Sequence, residues 1–412
     1  YGKELFMRWL LADTGNDFER RRKEQKQEQI ERFWQRFAQE EKALARAARI
    51  GNDAYLSSWL GENLLSLSED ILWELENFSA AVSMQKSPMT ESYTKLVITS
   101  GGRARARLLV NHIVAAAPNL PSWQFAAYKE PNQFGQYQDS RLKGDWSKAE
   151  VTIEVTDTNA LDLTILSERF HKDGSKEDLA LAMVLAESLL GEEILDKWIN
   201  IVVPRSRQER KSPLAAVRLG IEQRQTVNIK DLFQAVTDTI NQIKEALPPQ
   251  PLWQYQCSKR ELEHHGRKPE DWEADQGADV NYSTLTNMPK LSRAPSRRYN
   301  LYSTAFSRHN ELFCYLKIKG ADELRENQER RLALARAVDA CLHEGQVGCL
   351  TGSGITEESV ILELMLHNLK PAVELLRQVA AQTGLPATSW LLFHDRDYQD
   401  EWAGLKEDSP LP

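Results

Sequence analysis

The chain has few of the features that would name a chemistry at once. Its four cysteines, Cys257, Cys314, Cys341 and Cys349, are widely scattered and form no C-x-x-C pair. That spacing argues against a structural zinc framework and leaves reduced thiols as the expectation. No apolar run approaches the ~20 residues that cross a bilayer, so no membrane span is expected. The opening stretch YGKELFMRWLLADTG interrupts a short apolar patch with Arg8 and has no secretory h-region, which points to a cytoplasmic protein. The patterns G-x-S-x-G, H-E-x-x-H and G-x-x-x-x-G-K-[ST] are all missing. No catalytic residue, metal ligand set or cofactor is therefore assigned.

What is present is ordinary for a globular chain with real cores. Of 412 residues, 41% are hydrophobic and 27% charged, and eleven tryptophans argue against disorder. The length suggests two or three domains. With 52 Lys and Arg against 60 Asp and Glu, the net charge of −8 disfavours broad nucleic-acid binding and suits a basic protein partner.

Periodicity divides the chain into four regions. In the N-terminal helical segment, 1–70, Ile30, Phe33, Trp34, Phe37 and Leu44 recur at helical spacing over 17–49, and a second helix follows from about Asp53 to Leu67. The basic run RRRK is flanked by glutamates and reads as a solvated helix face. From Tyr93 the order β-α-β-β-β-α-β makes 71–247 an α+β domain close to the ferredoxin-like pattern, with an extra helix. DTNA is the turn of a strand pair, and KEDLALAMVLAESLLGEEILDKWI reads as one helix. Residues 248–297, rich in proline and charge, read as an irregular linker. Residues 298–412 give a second βαββαβ-like unit. The fold class expected is α+β: N-terminal helices, then two ferredoxin-like α/β sandwiches with mainly antiparallel sheets.

Three phrases, ERFWQRFAQEE, KLVITSGGRARARLLVNHIVAAAPNLPSWQFAAYKEP and AESLLGEEILDKWINIVV, resemble a family of uncharacterised bacterial proteins related to those carrying the domain of unknown function 695. The resemblance covers roughly 29–205, and more weakly 298–395, and implies no catalytic residues. The C-terminal unit is similar in plan to small acidic ferredoxin-like proteins that inhibit a bacterial ribonuclease by binding it, an analogy of fold.

Among candidate sites, TSGGRARAR places Gly101 and Gly102 before a helix N-terminus, whose free N–H groups can hold an anion. Arg103 and Arg107, one turn apart, complete a possible anion contact at Gly101, Gly102, Arg103 and Arg107. Arginines at a helix N-terminus each cost about 0.3–1 kcal/mol, so they need an acceptor or water. LTGSGITEESVILEL reads as a glycine-bearing hairpin. ELEHHGRKPEDWEAD, with Glu261, Glu263, His264, His265, Asp271, Glu273 and Asp275, reads as a solvated acidic loop rather than a metal site. His394, Asp395 and Asp397 form a polar strand end. His112 and His367 are expected to be packed or partly buried. Trp34, Trp59, Trp73, Trp123 and Trp198 are expected in cores. The functional expectation is a non-catalytic protein-binding protein, an inhibitor or immunity protein that sequesters a basic bacterial toxin or effector. The alternatives are an anion- or nucleotide-binding protein or enzyme using the Gly101–Arg107 turn, and a nucleic-acid-linked regulator.

Overall fold

Helix α1 (Asp17–Arg49) turns Ile30, Phe33, Trp34, Phe37 and Leu44 into a core, as their spacing requires. The computed structural model describes residues 9–11, 17–82, 89–135, 140–171, 175–207, 221–254, 263–265, 283–286, 288–298, 300–320, 324–356 and 358–412. They fall into two units, Tyr1–Pro131 with Gly191–Glu193, and Asn132–Leu190 with Ile194–Pro412.

In the first unit, α2 (Asp53–Leu64) starts where the Asn52 side chain accepts from the Tyr55 N–H. Strands β1 (Leu72–Val82) and β2 (Met89–Thr99) pair antiparallel in an unbroken register, and β3 (Trp123–Ala126) joins β2 in parallel after α3 (Ala104–Ala115). Trp59 and Trp123 are buried with Trp34, and Trp73 packs half-buried against the same core. The Trp34 indole donates to the Ile113 carbonyl at 2.7 Å, which settles its polar end inside that core.

The second unit has two sheets. The first is built from β4 (Glu150–Thr156), β5 (Leu161–Ser167), β6 (Ile199–Ser206) and β7 (Ile221–Asn228) in the order β6-β5-β4-β7, with β5 and β6 parallel. DTNA is the β4–β5 turn, with Asn159 in the left-handed region at φ 57°. Helix α4 (Lys176–Leu190) packs on β6 and on α6 (Leu232–Ala246).

Two expectations change here. The single helix over 176–198 is two, because Gly191 at φ +77° ends α4 before α5 (Glu192–Trp198) begins. A Cβ at Gly191 would stand 3.0 Å from the Lys129 carbonyl and from Pro131, so the break belongs to the first unit's packing. The strands from Tyr93 onward do not form one sandwich. β2 pairs back on β1 and takes β3 beside it, whereas β4 takes β5 and β7 as partners, so the expected run divides between two sheets.

The other sheet has the order β14-β13-β10-β12-β11-β9-β8. Its centre is β10 (Leu312–Lys319), β11 (Gly348–Ile355), β12 (Ser359–Leu366) and β13 (Ser389–Phe393), linked by α8 (Leu324–Glu344) and α9 (Leu369–Gln382). Every neighbouring pair among these four strands is antiparallel. The edges are β14 (Trp402–Gly404) on one side and β9 (Ser283–Thr286) with β8 (Glu263–His265) on the other. The stretch read as an irregular linker therefore supplies β8, β9 and α7 (Pro289–Arg297). β9 is held by backbone pairing to β11, which needs no hydrophobic alternation and leaves little trace in sequence. The stretch RYNLYSTAFSRHNELFCYLKIKG, whose composition reads as a strand pair, contains one strand among its described residues, β10. The residues before it make a short 3-10 turn, Ser303–Ala305, in which the Ser303 hydroxyl accepts the Phe313 N–H.

A core that includes Val151, Ile153, Leu163, Ile165, Leu185, Val236, Phe306, Phe313, Cys349 and Met365 joins the two sheets of this unit, and Trp198 is buried in it. Among the described residues, no helix is long and apolar enough to cross a membrane.

Candidate functional site

The turn between β2 and α3 is built by two consecutive left-handed glycines, Gly101 at φ 55° and Gly102 at φ 75°. The Leu72 side chain lies where a Cβ on Gly101 would stand, so the position needs glycine twice over. The Gly101 N–H donates to Thr99 Oγ1 at 3.0 Å. The two arginines expected to act together go to different acceptors. Arg103 Nη1 meets Asp70 at 3.3 Å near the surface. Arg107 is 1% exposed: its Nη2 donates to Glu192 Oε1 at 2.6 Å and its Nη1 to the Ala127 carbonyl at 2.7 Å. The Tyr128 ring lies 3.9 Å from the guanidinium carbon.

Glu192 is 2% exposed. It also accepts the Thr99 hydroxyl at 2.5 Å and the Lys129 N–H at 3.2 Å. The buried Arg107 guanidinium and the buried Glu192 carboxylate form a directly hydrogen-bonded ion pair. The structure thus gives Arg107 an internal anion. Nothing in the sequence signals Glu192, which lies 85 positions away.

The polar end of β13 is arranged differently from a His–carboxylate pair. The His394 ring lies between Phe313 and Tyr315, with ring centroids 4.5 Å from each. Its Nε2 is shielded from water and has no hydrogen-bond partner. Burial lowers its pKa to about 4. Asp395 does not serve the imidazole. Its carboxylate accepts the Ser303 N–H at 2.8 Å and the Asp397 N–H at 3.3 Å, and burial raises its pKa. Asp397 accepts the Tyr302 hydroxyl at 3.1 Å.

A pH dependence follows from His394. Between pH 6.5 and about 4 the unfolded chain binds a proton at this residue that the folded chain refuses. Stability contributed by the neutral ring is therefore complete above pH 6.5 and is lost as pH falls toward 4, by about 3 kcal/mol in all. Urea unfolding of wild type and His394→Phe across this window should differ by that slope. Parallel curves would contradict a buried, neutral ring.

The glycines of LTGSGITEESVILEL lie within β11 itself, not in the turn, because β11 runs from Gly348 to Ile355. His112 and His367 are exposed rather than packed in a core. His112 is on the outer side of α3, stacked on Trp9 at 4.7 Å, and His367 follows the end of β12. In the acidic His-His loop, 263–265 form β8, and Glu261, Asp271, Glu273 and Asp275 lie outside the described residues. Among the described residues no group of three or more His, Cys, Asp or Glu could hold a metal ion. Cys314, Cys341 and Cys349 are free thiols, and burial pushes the Cys314 pKa upward.

One surface was not anticipated. The β10–β13 register sets Tyr315 opposite Leu392 and Lys317 opposite Trp390, and the β13–β14 register sets Leu392 opposite Trp402. These five residues share one face, because directly opposed residues and alternate residues along a strand point the same way. Helix α8 covers the other face, where Arg331 donates to Ser353 Oγ at 3.2 Å. Tyr315, Leu392 and Trp402 are half-buried and Lys317 is exposed. The Trp390 indole N–H donates to the Pro410 carbonyl at 2.8 Å. A three-residue strand, β14, creates this grouping, and so short a strand has no readable period.

No protein-family model, curated protein or solved structure matches the chain. The two clusters must be interpreted from their own chemistry.

Proposed function

We propose that the chain is a non-catalytic protein-binding protein, in its sharper form a cytoplasmic inhibitor or immunity protein that sequesters a basic bacterial toxin or effector. The observation that carries the reading is the face holding Tyr315, Trp390 and Trp402, since tyrosine and tryptophan supply a large share of the energy in protein interfaces. Two further observations support it. The net charge of −8 favours capture of a cationic partner. Arg103 and Arg107, the pair best placed for a small anion, are engaged by Asp70 and Glu192.

The connection β10-α8-β11-β12-α9-β13, with strand order β13-β10-β12-β11, supports reading this part as a ferredoxin-like sandwich, similar in plan to the small acidic ribonuclease inhibitors. The phrase around LVITSGG resembles uncharacterised bacterial proteins related to those carrying the domain of unknown function 695, a resemblance that assigns no catalytic residue.

The test is functional. A toxin or effector partner should lose its activity in proportion to added chain and be silent at equimolar ratio. Its association rate should fall steeply as salt is raised. A partner that keeps full activity when saturated removes the inhibitor form, and a salt-independent rate removes electrostatic capture.

A further inference from the structure

We propose that the face around Trp390 recognises an extended, proline-bearing segment of the protein partner, and that the chain's own Ser409–Pro412 segment occupies this site as an internal stand-in. This rests on the protein-binding reading above and names the chemistry of the contact. The segment is seated on the face by a built turn rather than laid over it at random. The Leu405 N–H donates to the Ser389 carbonyl at 3.0 Å, in line with the β13–β14 pairing. The Ser409 N–H donates to the Lys406 carbonyl at 3.2 Å, and Ser409 Oγ accepts the Lys406 N–H at 3.1 Å. Ser409 packs where a side chain on Gly404 would stand, and Arg377 Nε donates to the Gly404 carbonyl at 3.1 Å. The turn delivers the Pro410 carbonyl to the Trp390 indole N–H at 2.8 Å, and Trp390 is 9% exposed.

The chemistry of that contact is general. A segment such as Ser-Pro-Leu-Pro favours the extended polyproline conformation, which makes no internal hydrogen bonds and leaves its carbonyls free for an outside donor. An indole offers both a flat apolar surface and one N–H, and aromatic-lined grooves recognise proline-rich segments in this way. Trp402 lies diagonal to Trp390 across β13–β14, and Tyr315 is one pair further in, so the ring surface extends beyond the residue the segment touches. Within the segment Pro410 is exposed and Leu411 is 61% exposed. A partner segment of like chemistry can displace it by exchanging one carbonyl for another.

The experiment uses the full chain and a synthetic peptide with the sequence of residues 405–412. In the double variant Pro410→Gly, Pro412→Gly the internal segment loses its preorganisation, and the Trp390 indole N–H resonance, assigned with Trp390→Phe, should move. The peptide should then bind the double variant about tenfold more tightly than wild type, because a site closed by its own segment has its apparent affinity reduced by the closed fraction. Adding Trp390→Phe, which keeps a ring and removes the donor, should abolish the gain, as should a peptide with both prolines replaced by alanine. An unmoved indole resonance overturns the proposal, and so does equal binding to wild type and double variant. Concentration-dependent dimers of the double variant in place of peptide binding also overturn it, since the occupant would then be a second copy. Capture of a stoichiometric partner by Trp390→Phe as readily as by wild type removes this site and leaves the protein-binding reading standing. Peptide binding without any captured partner does the reverse.

Discussion

Arg107→Ala is expected to destabilise the first unit by about 3–5 kcal/mol. The substitution leaves Glu192 buried with the Thr99 hydroxyl and the Lys129 N–H but without its counter-charge, and it takes a donor from the Ala127 carbonyl. An uncompensated buried carboxylate is far more costly than an absent ion pair, which separates this prediction from a simple loss of contacts. The double variant Arg107→Leu, Glu192→Leu should therefore recover most of the loss, because apolar groups of similar size remove the desolvation cost on both sides. Native-state hydrogen exchange of the α3 amides is the direct readout. If the single and double variants are equally destabilised, the charge argument fails and Arg107 acts by packing alone.

Phe37→Ala is expected to cost a similar about 3–5 kcal/mol, by a different mechanism. Phe37 is 1% exposed and lies within an array of rings: Trp123 at 4.9 Å, Trp34 and Phe125 at 5.5 Å, and Trp59 at 5.6 Å between centroids. Its contacts with Trp59 and Trp123 are edge-to-face, at 81° and 78°. Removing the ring strips contact from four rigid neighbours on several elements, which cannot all close on the void. Phe37→Leu should retain a good part of the stability, since it returns volume but not ring geometry. Urea unfolding followed by tryptophan fluorescence measures both. A loss in Phe37→Ala below about 1 kcal/mol would mean that this core collapses freely, contrary to its packing.

How much of this was legible in sequence depended on the range of the interaction concerned. The apolar face of α1, the start of α2 near Asp53, the DTNA turn and the order α8, β11, β12, α9 and β13 all rest on local periodicity or local turn chemistry, and these were readable. The partition of strands between sheets was not, because β2 and β4 carry similar alternation and only their partners distinguish them. β9 gave no signal because its pairing to β11 is backbone to backbone. The candidate sites follow the same rule. Gly101 and Gly102 were readable as a special turn, and the arginines behind them as needing either an acceptor or water. That the acceptors are Asp70 and Glu192 is tertiary information. Trp390 and Trp402 come together only through the three pairs of β13 with β14. His394 lies beside Asp395 in sequence, yet in the fold its ring packs against Phe313 and Tyr315, whereas the Asp395 carboxylate accepts the Ser303 N–H.

The central claim is that the chain works by holding another protein. Affinity capture from the native host lysate at low salt, with quantitative mass spectrometry and the full chain as bait, tests it most directly. The account predicts one stoichiometric partner that carries net positive charge and is released as salt is raised. Recovery of no stoichiometric partner, together with a rise in melting temperature on adding phosphate or a nucleotide that Arg103→Ala abolishes, would contradict it and return the anion turn to the centre.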